Sequence, residues 1–441
     1  MHLINEIYPK NFLKHFFTLG ISSKLAIVCI CLLPIFHLTF NHWTGYLMVW
    51  ASLFSLISLI QSKGVTKEIL QDPRSKWIIL GLIAYTLSIF LSQLGRFSFN
   101  HKSYLNTSPF LYFIPIFIFV VWQRIDMGKW LQITLPIIIL GAYWSTFYNH
   151  RELARADWIA AHRLAPYFSD PLAFGQIILS LGLMSLSTID LNKINTKSII
   201  ISLWSLLGFC VGVSLSVESG SRTGWLAIPG VLFLILITKL NLNIWKSSLI
   251  SLLFSAAGCL VLYNITPMIQ ERMLLAVNEI LTYPWQGGIA PDTSVGLRIT
   301  FQRLGWFYFS QSPIYGWGTN GFNLIKDAPE VIKFSTQFAR DFVNSALFHN
   351  EVMTNMVRHG IFGIAAYVFA VLIPLFLTLK NTMSDNAIVK RASLLCACFL
   401  ICQFVAGFSD EFLNLKGMVA FYAYLVSTLL GTIIAFSNQK N

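Results

Sequence analysis

Long apolar segments constrain the fold of this sequence more than any single motif does. Twelve apolar segments, most of them 17 to 21 residues long, match the length that crosses a hydrocarbon core of about 30 Å as a helix. Since lipid offers no hydrogen-bond partners, the backbone groups of each segment must pair with one another, which predicts an all-α polytopic membrane protein. The predicted spans are residues 24–41, 45–61, 77–95, 108–122, 130–148, 171–190, 197–217, 223–239, 246–264, 360–379, 391–408 and 416–436.

The composition agrees with a membrane protein. Hydrophobic residues make up 55% of the chain and charged residues only 11%, whereas a soluble chain carries about 25% charged residues. The net charge of +12 comes from basic residues scattered between the apolar segments, without the dense basic patch that is typical of nucleic-acid binding. All seven cysteines fall inside predicted spans, and none pairs with a histidine at metal-ligand spacing, so neither a disulfide nor a metal site is predicted. They are Cys29, Cys31, Cys210, Cys259, Cys396, Cys398 and Cys402.

Basic residues near the ends of the predicted spans indicate the orientation of the chain. With a cytoplasmic N-terminus, every short cytoplasmic loop is basic, as the positive-inside rule requires. Twelve spans then return the C-terminus to the cytoplasmic side. The first span follows Lys10, Lys14 and Lys24 and has no small-residue cleavage site, so we expect it to remain uncleaved. The basic loop residues are Lys63, Lys67, Arg74, Lys76, Arg124, Lys129, Lys193, Lys197, Lys239, Lys246, Lys380, Lys390 and Arg391.

One long segment between spans nine and ten, residues 265–358, is the predicted place for chemistry, since structured loops on one face of a membrane enzyme carry its site. It contains the amphipathic stretches Arg298–Ser310 and Phe338–Arg358, separated by turns rich in Gly and Pro. We therefore predict spans 1–9 in residues 1–264, a structured periplasmic loop of short helices in 265–358, and spans 10–12 in 359–441.

The predicted periplasmic side is poor in lysine and rich in arginine. Topology requires no arginine there, and a planar guanidinium binds phosphate oxygens through two parallel hydrogen bonds. An anionic, phosphorylated substrate at this face is one interpretation. The other interpretation is that these arginines contact lipid headgroups or form salt bridges to Asp157, Asp170 or Glu218. The arginines are Arg96, Arg151, Arg155, Arg163, Arg222, Arg272, Arg298, Arg303, Arg340 and Arg358.

Four short clusters and one acidic pair carry side chains that could do chemistry. His349, just ahead of a span, could act as a general base near neutral pH, oriented by Asn350 or Glu351, or it could be an interfacial histidine. Arg222 lies in a Gly/Ser-rich turn at the start of a span, where backbone N–H groups and a guanidinium can bind an anion. The other candidates are Arg163, Asp170, Arg298, Arg303, His359 and the pair Asp410-Glu411, each with a structural alternative as a helix cap or surface residue.

No P-loop, dinucleotide fingerprint or Asp-x-Asp motif accompanies these residues. We therefore expect chemistry without a nucleotide, a metal or another cofactor. A base and several arginines suit the transfer of a group from a donor that is already activated, such as a lipid-linked diphosphate.

In their order and spacing, these clusters resemble the bacterial O-antigen ligase and polymerase superfamily. The matching pieces cover residues 163–363, and topology and length extend the resemblance to most of the chain. They are Asp170-Pro-Leu-Ala-Phe-Gly175, Gly220-Ser-Arg-Thr-Gly-Trp225, Ser294-Val-Gly-Leu-Arg298, Pro313-Ile-Tyr-Gly-Trp-Gly318 with Phe322, and His349-Asn350 with Gly360 and Gly363.

The resemblance implies a glycosyltransferase of the bacterial inner membrane whose active site faces the periplasm. Its donor would be a glycan on undecaprenyl diphosphate, and a ligase would pass this glycan to a hydroxyl of the lipid A–core oligosaccharide in lipopolysaccharide biosynthesis. The resemblance makes His349 the general base and Arg222 and Arg298 the clamp on the diphosphate. Further candidates for substrate binding are Arg163, Arg303, Asn350, Asp410 and Glu411.

The motifs identify the reaction better than the acceptor. A ligase is favoured over a polymerase or a pilin O-oligosaccharyltransferase, because the chain is short for the longer protein-glycosylating members. A transporter or lipid-glycan flippase is the alternative from another class. Carriers tend to have repeats and charged residues near the midplane, whereas the polar residues here gather at one face. Membrane lipids, but no nucleic acid, are the other expected partners.

Overall fold

The computed structural model describes residues 16–62, 64–160, 162–190, 195–265, 267–319, 321–343 and 347–437. Throughout these ranges the regular structure is helical and contains no strand, which confirms the predicted all-α class. Four of the lysines used to predict the topology, Lys10, Lys14, Lys63 and Lys193, lie outside the described residues.

Each of the twelve predicted spans corresponds to an apolar helix. Nine helices of the described chain are long and apolar enough to cross a membrane, and three shorter apolar helices accompany them, which confirms a polytopic membrane protein. The long helices are Trp43–Gln61, Pro73–Gly95, Met127–Phe147, Thr196–Glu218, Thr223–Leu240, Ile244–Val261, Ile361–Asn381, Ala387–Ala406 and Lys416–Ser437, and the shorter ones are Ile21–His37, Ser108–Gln123 and Pro171–Ser187.

The C-terminal helix Lys416–Ser437 forms the centre of the bundle. Of its apolar stretch, 94% is buried inside the protein, whereas only 11% of Ile244–Val261 is buried. Gly431 allows a close approach to the neighbouring helix, since a Cβ there would lie 3.0 Å from a side-chain carbon of Val120. The Thr432 hydroxyl donates a hydrogen bond of 2.9 Å to the Ile125 carbonyl. Small residues and interhelical hydrogen bonds of this kind hold helices together in lipid, where burial of apolar surface contributes little.

A second, smaller core holds together the helices between residues 294 and 359. Phe301, Leu304, Tyr308, Phe322 and Phe348 are fully buried in it. The ring centroids of Tyr308 and Phe322 are 4.8 Å apart, close enough for a favourable aromatic contact. The helices of this core are Ser294–Gln311, Pro329–Ile332, Gln337–Phe342 and Glu351–His359, and the Pro267–Leu281 helix precedes them in the chain.

The amphipathic stretch Arg298–Ser310 lies within one helix, but Phe338–Arg358 is divided between two, Gln337–Phe342 and Glu351–His359. Asn350 causes the second helix to begin, because its extended backbone leaves its side chain free to accept the N–H of Met353. This new helix start places His349 at a bend in the chain.

Candidate functional site

Three arginines from separate parts of the sequence line one cavity at an end of the helix bundle. Arg163, Arg222 and Arg298 border a cavity of about 230 Å³, which we call the arginine cavity. Arg163 precedes the Pro171–Ser187 helix, Arg222 follows Thr196–Glu218, and Arg298 belongs to the second core. Guanidinium groups bind phosphate oxygens through paired hydrogen bonds, so a cavity that three of them line suits a phosphate-bearing ligand.

The turn at Gly220 brings the first two arginines together. Gly220 has a φ of 70°, in the left-handed region that favours glycine, and a Cβ there would lie 3.3 Å from Cγ of Arg163. The N–H of Leu164 donates to the carbonyl of Glu218 over 2.9 Å, which fixes the segment of Arg163 against this turn. A side chain at position 220 would therefore displace Arg163 from Arg222.

Arg298 reaches the arginine cavity from the opposite wall. Burial lowers the pKa of the Arg298 guanidinium, and the nearby Asp410 carboxylate acts in the opposite direction. The group stays cationic at neutral pH, because arginine titrates far above it. Glu279 accepts the N–H of Val295 over 2.7 Å and so fixes the first turn of this helix beside the cavity.

The His349 imidazole lies beside a carboxylate and against a stacked pair of aromatic rings. Its Nδ1 is 3.9 Å from Oε2 of Glu411, and the ring centroids of Phe301 and Phe342 are 5.8 Å and 5.6 Å away. Burial lowers the pKa of His349, while Glu411 acts to raise it. The imidazole is therefore neutral near pH 7 and able to accept a proton.

Asp410 connects this histidine to the arginine cavity, which its side chain lines. Its Oδ2 accepts a hydrogen bond of 3.2 Å from the Gln176 amide, and its Oδ1 accepts the N–H of Glu411 over 2.9 Å. Burial, followed by the charge of Glu411, raises the pKa of Asp410 to about 7. Asp410 can thus gain or lose a proton near neutral pH. We call His349, Asp410 and Glu411 the His349 cluster.

The His349 cluster also has the spacing of a cation site. One potential ligand atom from each of its three residues lies within 4.8 Å of the others. One imidazole nitrogen and two carboxylates are a ligand set that divalent metals accept. The sequence-based expectation of a reaction without metal therefore needs a direct test.

The two oxygens of Glu411 have different surroundings. Oε1 accepts hydrogen bonds from the Thr354 hydroxyl at 2.9 Å and from the N–H of Asn350 at 3.3 Å, while Oε2 points toward His349. The Asn350 side-chain oxygen accepts the N–H of Met353 over 3.0 Å. Asn350, a predicted substrate-binding residue, thus caps a helix and helps to orient Glu411.

Glu351 ties the helix after His349 to the loop that carries Asp410 and Glu411. Its Oε2 accepts the N–H of Leu413 at 3.0 Å, and its Oε1 accepts the amides of Asn355 at 2.8 Å and Asn414 at 3.3 Å. Its own N–H donates to the Gly407 carbonyl at 2.7 Å. Glu351 is fully buried, and burial raises its pKa to about 8.

No motif in the sequence pointed to the hydrogen-bond partners of Glu351 and Glu411. Thr354 and Asn355 follow Glu351 by three and four residues, a spacing that places all three on one helix face. The signal in the sequence was a polar face on a short helix beside a membrane span. Polar side chains are rarely buried without hydrogen-bond partners, so such a face predicts that partners are present.

Arg303 does not belong to the described lining of the arginine cavity. Its guanidinium lies 4.3 Å from the centroid of the Phe334 ring, and Nη1 donates to the Tyr283 hydroxyl over 3.4 Å. These contacts are part of the packing around the second core.

The Gly-rich turn at residues 313–318 packs on the end of the helix that follows His349. The N–H groups of Trp317 and Gly318 donate to the carbonyls of Val357 and Arg358, each over 2.8 Å. A Cβ on Gly360 would lie 2.3 Å from the Ile314 carbonyl oxygen. This motif thus supports the helix that positions the histidine and does not line the arginine cavity among the described residues.

Two comparisons with known proteins bear on this site. Residues 207–368 match the family model described as O-Antigen ligase, a range that includes Arg222, Arg298 and His349 and ends before Asp410. A protein of Haemophilus influenzae, described as uncharacterized, is 24% identical over 380 residues, which cover 82% of this chain and 90% of that protein.

Proposed function

We propose that this chain, whose residues 207–368 match the O-antigen ligase family model, belongs to the O-antigen ligase and polymerase superfamily and is an O-antigen ligase of the bacterial inner membrane. A ligase transfers a glycan from undecaprenyl diphosphate to a hydroxyl of the lipid A–core oligosaccharide, a step of lipopolysaccharide biosynthesis. The observation that carries the proposal is that Asp410, whose neighbour Glu411 faces His349, lines the cavity bordered by Arg163, Arg222 and Arg298.

In the proposed reaction, His349 removes the proton of the acceptor hydroxyl. The 3.9 Å between Nδ1 and Oε2 of Glu411 favours a tautomer with the proton on Nδ1 and the lone pair on Nε2. The acceptor oxygen attacks the anomeric carbon as the bond from that carbon to the diphosphate breaks. The proton stays on the imidazole, and the Glu411 carboxylate stabilises the resulting cation.

The arginines act on the leaving group. Negative charge develops on the departing diphosphate as its bond to the sugar breaks. Fixed guanidinium groups then stabilise the transition state more than the bound donor, which is the requirement for catalysis. Arg222 and Arg298, on separate walls of the arginine cavity, are the proposed clamp, with Arg163 beside them.

We place the active site at the periplasmic face. Arg74, Lys129, Lys239 and Lys380 lie at the helix ends away from the arginine cavity. The positive-inside rule assigns that end of the bundle to the cytoplasm.

An O-antigen polymerase or a pilin O-oligosaccharyltransferase would use the same site with another acceptor. The family match at residues 207–368 supports a polymerase as well as a ligase. A transporter is less consistent with the arrangement, because the His349 cluster and the arginine cavity lie at one end of the helices and not near their middle.

The test is an assay of the purified protein with undecaprenyl-diphosphate-linked O-glycan and lipid A–core, without nucleotide and with EDTA. We expect glycan-bearing lipid A–core as the product. Lengthening of the lipid-linked glycan over bare lipid A–core would indicate a polymerase, and product from a pilin acceptor would indicate a pilin transferase. Activity that EDTA removes and a divalent cation restores would overturn the metal-free mechanism and assign the cation to the His349 cluster. No product with any acceptor would leave the transporter as the function to test.

A further inference from the structure

A second cavity lies at the same end of the bundle as the arginine cavity. Its volume is about 400 Å³, within the range of roughly 300–1,000 Å³ that is usual for small-molecule sites. The end of the Ile21–His37 helix, the turn that leads into Trp43–Gln61, the segment before Pro171 and the start of Lys416–Ser437 form its walls. Of the residues in these segments, only Asp170 was named above as a candidate for chemistry.

Two buried polar groups line the second cavity without a hydrogen-bond partner among the described residues. His37 is 7% exposed and Ser169 is 8% exposed, and neither Nε2 of the imidazole nor Oγ of the serine is paired. The other imidazole nitrogen lies 2.9 Å from the Thr44 hydroxyl, and the ring stacks on Phe421 at 4.2 Å. His37 is thus held in a fixed position beside the cavity. Buried polar groups nearly always have partners, so a small shift of either side chain toward a polar ligand in the cavity would supply the hydrogen bond that each lacks.

The rest of the lining mixes aromatic and polar side chains. Phe40 and Phe168 contribute rings, while Asn41, Thr44 and Lys416 contribute hydrogen-bonding groups. Sugars have the matching chemistry, since their C–H faces pack on aromatic rings and their hydroxyls both donate and accept hydrogen bonds. A purely apolar lipid tail would leave the buried groups of His37 and Ser169 unpaired.

The second cavity and the arginine cavity share two structural elements. Asp170 lines the second cavity and caps the Pro171–Ser187 helix through the N–H of Leu172 at 2.9 Å. The first turns of that helix supply Leu172 and Gln176 to the arginine cavity, and Gln176 binds Asp410. Likewise, the loop after residue 407 brings Asp410 to one cavity and Lys416 to the other. Asp170, which lines the second cavity, is also close enough to His349 to act on its pKa, so the second cavity lies on the same side of the bundle as the His349 cluster.

We propose that the second cavity binds the sugar of the acceptor. This inference rests on the proposed function, since it adds to the donor diphosphate in the arginine cavity a separate site for the molecule that receives the glycan. An acceptor sugar held there presents a hydroxyl toward His349 while the donor occupies the arginine cavity. The ligand class is a polyhydroxylated sugar, from either a lipid A–core or a growing lipid-linked glycan.

Gly45 offers a way to fill the second cavity without disturbing the fold. It lines the cavity and lies within the Trp43–Gln61 helix, and a Cβ added there meets no atom within 4 Å. Gly45→Leu places a side chain in this open space and favours the helix. Gly258→Leu is the matched control, because Gly258 is also helical with open space around its Cβ and lines neither cavity among the described residues. Ser169→Ala removes one of the two unpaired groups with little change in volume.

Two readouts separate this inference from the proposed function. The first is calorimetric binding of lipid-free core oligosaccharide, or of lipid-free O-glycan, to the purified full-length protein. The second is the KM for acceptor and for donor in the transfer assay. We expect Gly45→Leu to weaken binding of one of the two sugars and to raise the acceptor KM by about tenfold or more, with the donor KM unchanged. Ser169→Ala should have a smaller effect in the same direction.

The binding experiment also identifies which molecule carries the acceptor sugar, the core oligosaccharide or the O-glycan. Loss of core-oligosaccharide binding indicates a lipid A–core acceptor, and loss of O-glycan binding indicates a growing chain. The inference is overturned if neither sugar binds the wild-type protein, if Gly45→Leu binds as Gly258→Leu does, or if only the donor KM changes. If the protein binds a sugar in a way that depends on Gly45 but has no transfer activity, the proposed function is wrong and the sugar site stands.

Discussion

A histidine serves as a base only if its ring is both neutral and held in position. In this protein Phe301 and Phe342 pack against the His349 ring and Glu411 faces its Nδ1. We predict that His349→Ala lowers the rate of transfer by at least about 10²-fold, the usual contribution of a general base, while the melting temperature changes little. His101→Ala, at an exposed histidine, is the control. A folded His349→Ala protein with full activity would exclude His349 as the base.

Arginine and lysine carry the same charge but bind phosphate differently. We predict that Arg222→Lys loses most activity, by about 10²-fold, because an ammonium cannot bind two oxygens of the diphosphate through a planar fork. Arg151→Lys, at an exposed arginine, should leave the rate unchanged. Wild-type rates for Arg222→Lys would reduce Arg222 to a structural residue.

The pH dependence of transfer reports the surroundings of His349. Activity requires the neutral imidazole, so kcat/KM should fall as the pH decreases through the pKa of His349, which burial holds below its ordinary value. Glu411 opposes this shift. Glu411→Gln should therefore lower the pKa further, move the acid limb to lower pH, and reduce the plateau rate by removing the charge that stabilises the imidazolium. An acid limb that stays in place or moves to higher pH would contradict this account.

At this scale, residue types were more predictable than contacts. His349, Arg222 and Arg298 stood out because they lie in the motifs that resemble the O-antigen ligase and polymerase superfamily, and Arg222 also lies in a Gly/Ser-rich turn at the start of a span. The sequence left open whether Asp410 or Glu411 assists His349, whereas in the structure Glu411 faces the imidazole and Asp410 the arginine cavity. Such a distinction depends on side-chain directions in one short turn, which carry no sequence pattern.

Among the structural elements, the helix that begins at Glu351 and the 407–415 loop form one unit. Glu351→Ala removes the acceptor for Leu413, Asn355 and Asn414. We predict a loss of about 2 to 5 kcal/mol in the free energy of unfolding, since the donors stay buried without partners. The rate of transfer should fall as well, because the loop carries Asp410 and Glu411.

Thermal unfolding and transfer rates of the purified variant measure both effects. Glu330→Ala, at an exposed glutamate of the same region, is the control. Wild-type stability and rate in Glu351→Ala would show that the loop is held by other contacts.

The helices themselves were well predicted, because hydropathy over a whole span averages out local detail. The division of Phe338–Arg358 was not, since one capping residue, Asn350, decides where a short helix starts. The arginine cavity was also beyond the sequence. Its walls come from four separate segments between residues 162 and 410, and no periodicity specifies which of them meet.

For the whole molecule, the proposed orientation can be tested by labelling. We predict that a cysteine introduced by His101→Cys reacts with a membrane-impermeant maleimide in intact spheroplasts, whereas one introduced by Lys380→Cys reacts only after the membrane is permeabilised. The two positions lie at opposite ends of the bundle. The unsubstituted protein, whose cysteines all lie within helices, measures the background. The reverse pattern would place the site in the cytoplasm.

The Pro267–Leu281 helix forms one wall of the arginine cavity through Leu275, Ala276 and Glu279. Its other side is apolar and open, with Leu274 64% and Leu281 76% exposed. A single helix with an exposed apolar face thus forms this wall of the site. For the proposed lipid-linked donor, such a face offers the hydrocarbon tail an apolar surface to rest on while the headgroup enters the cavity.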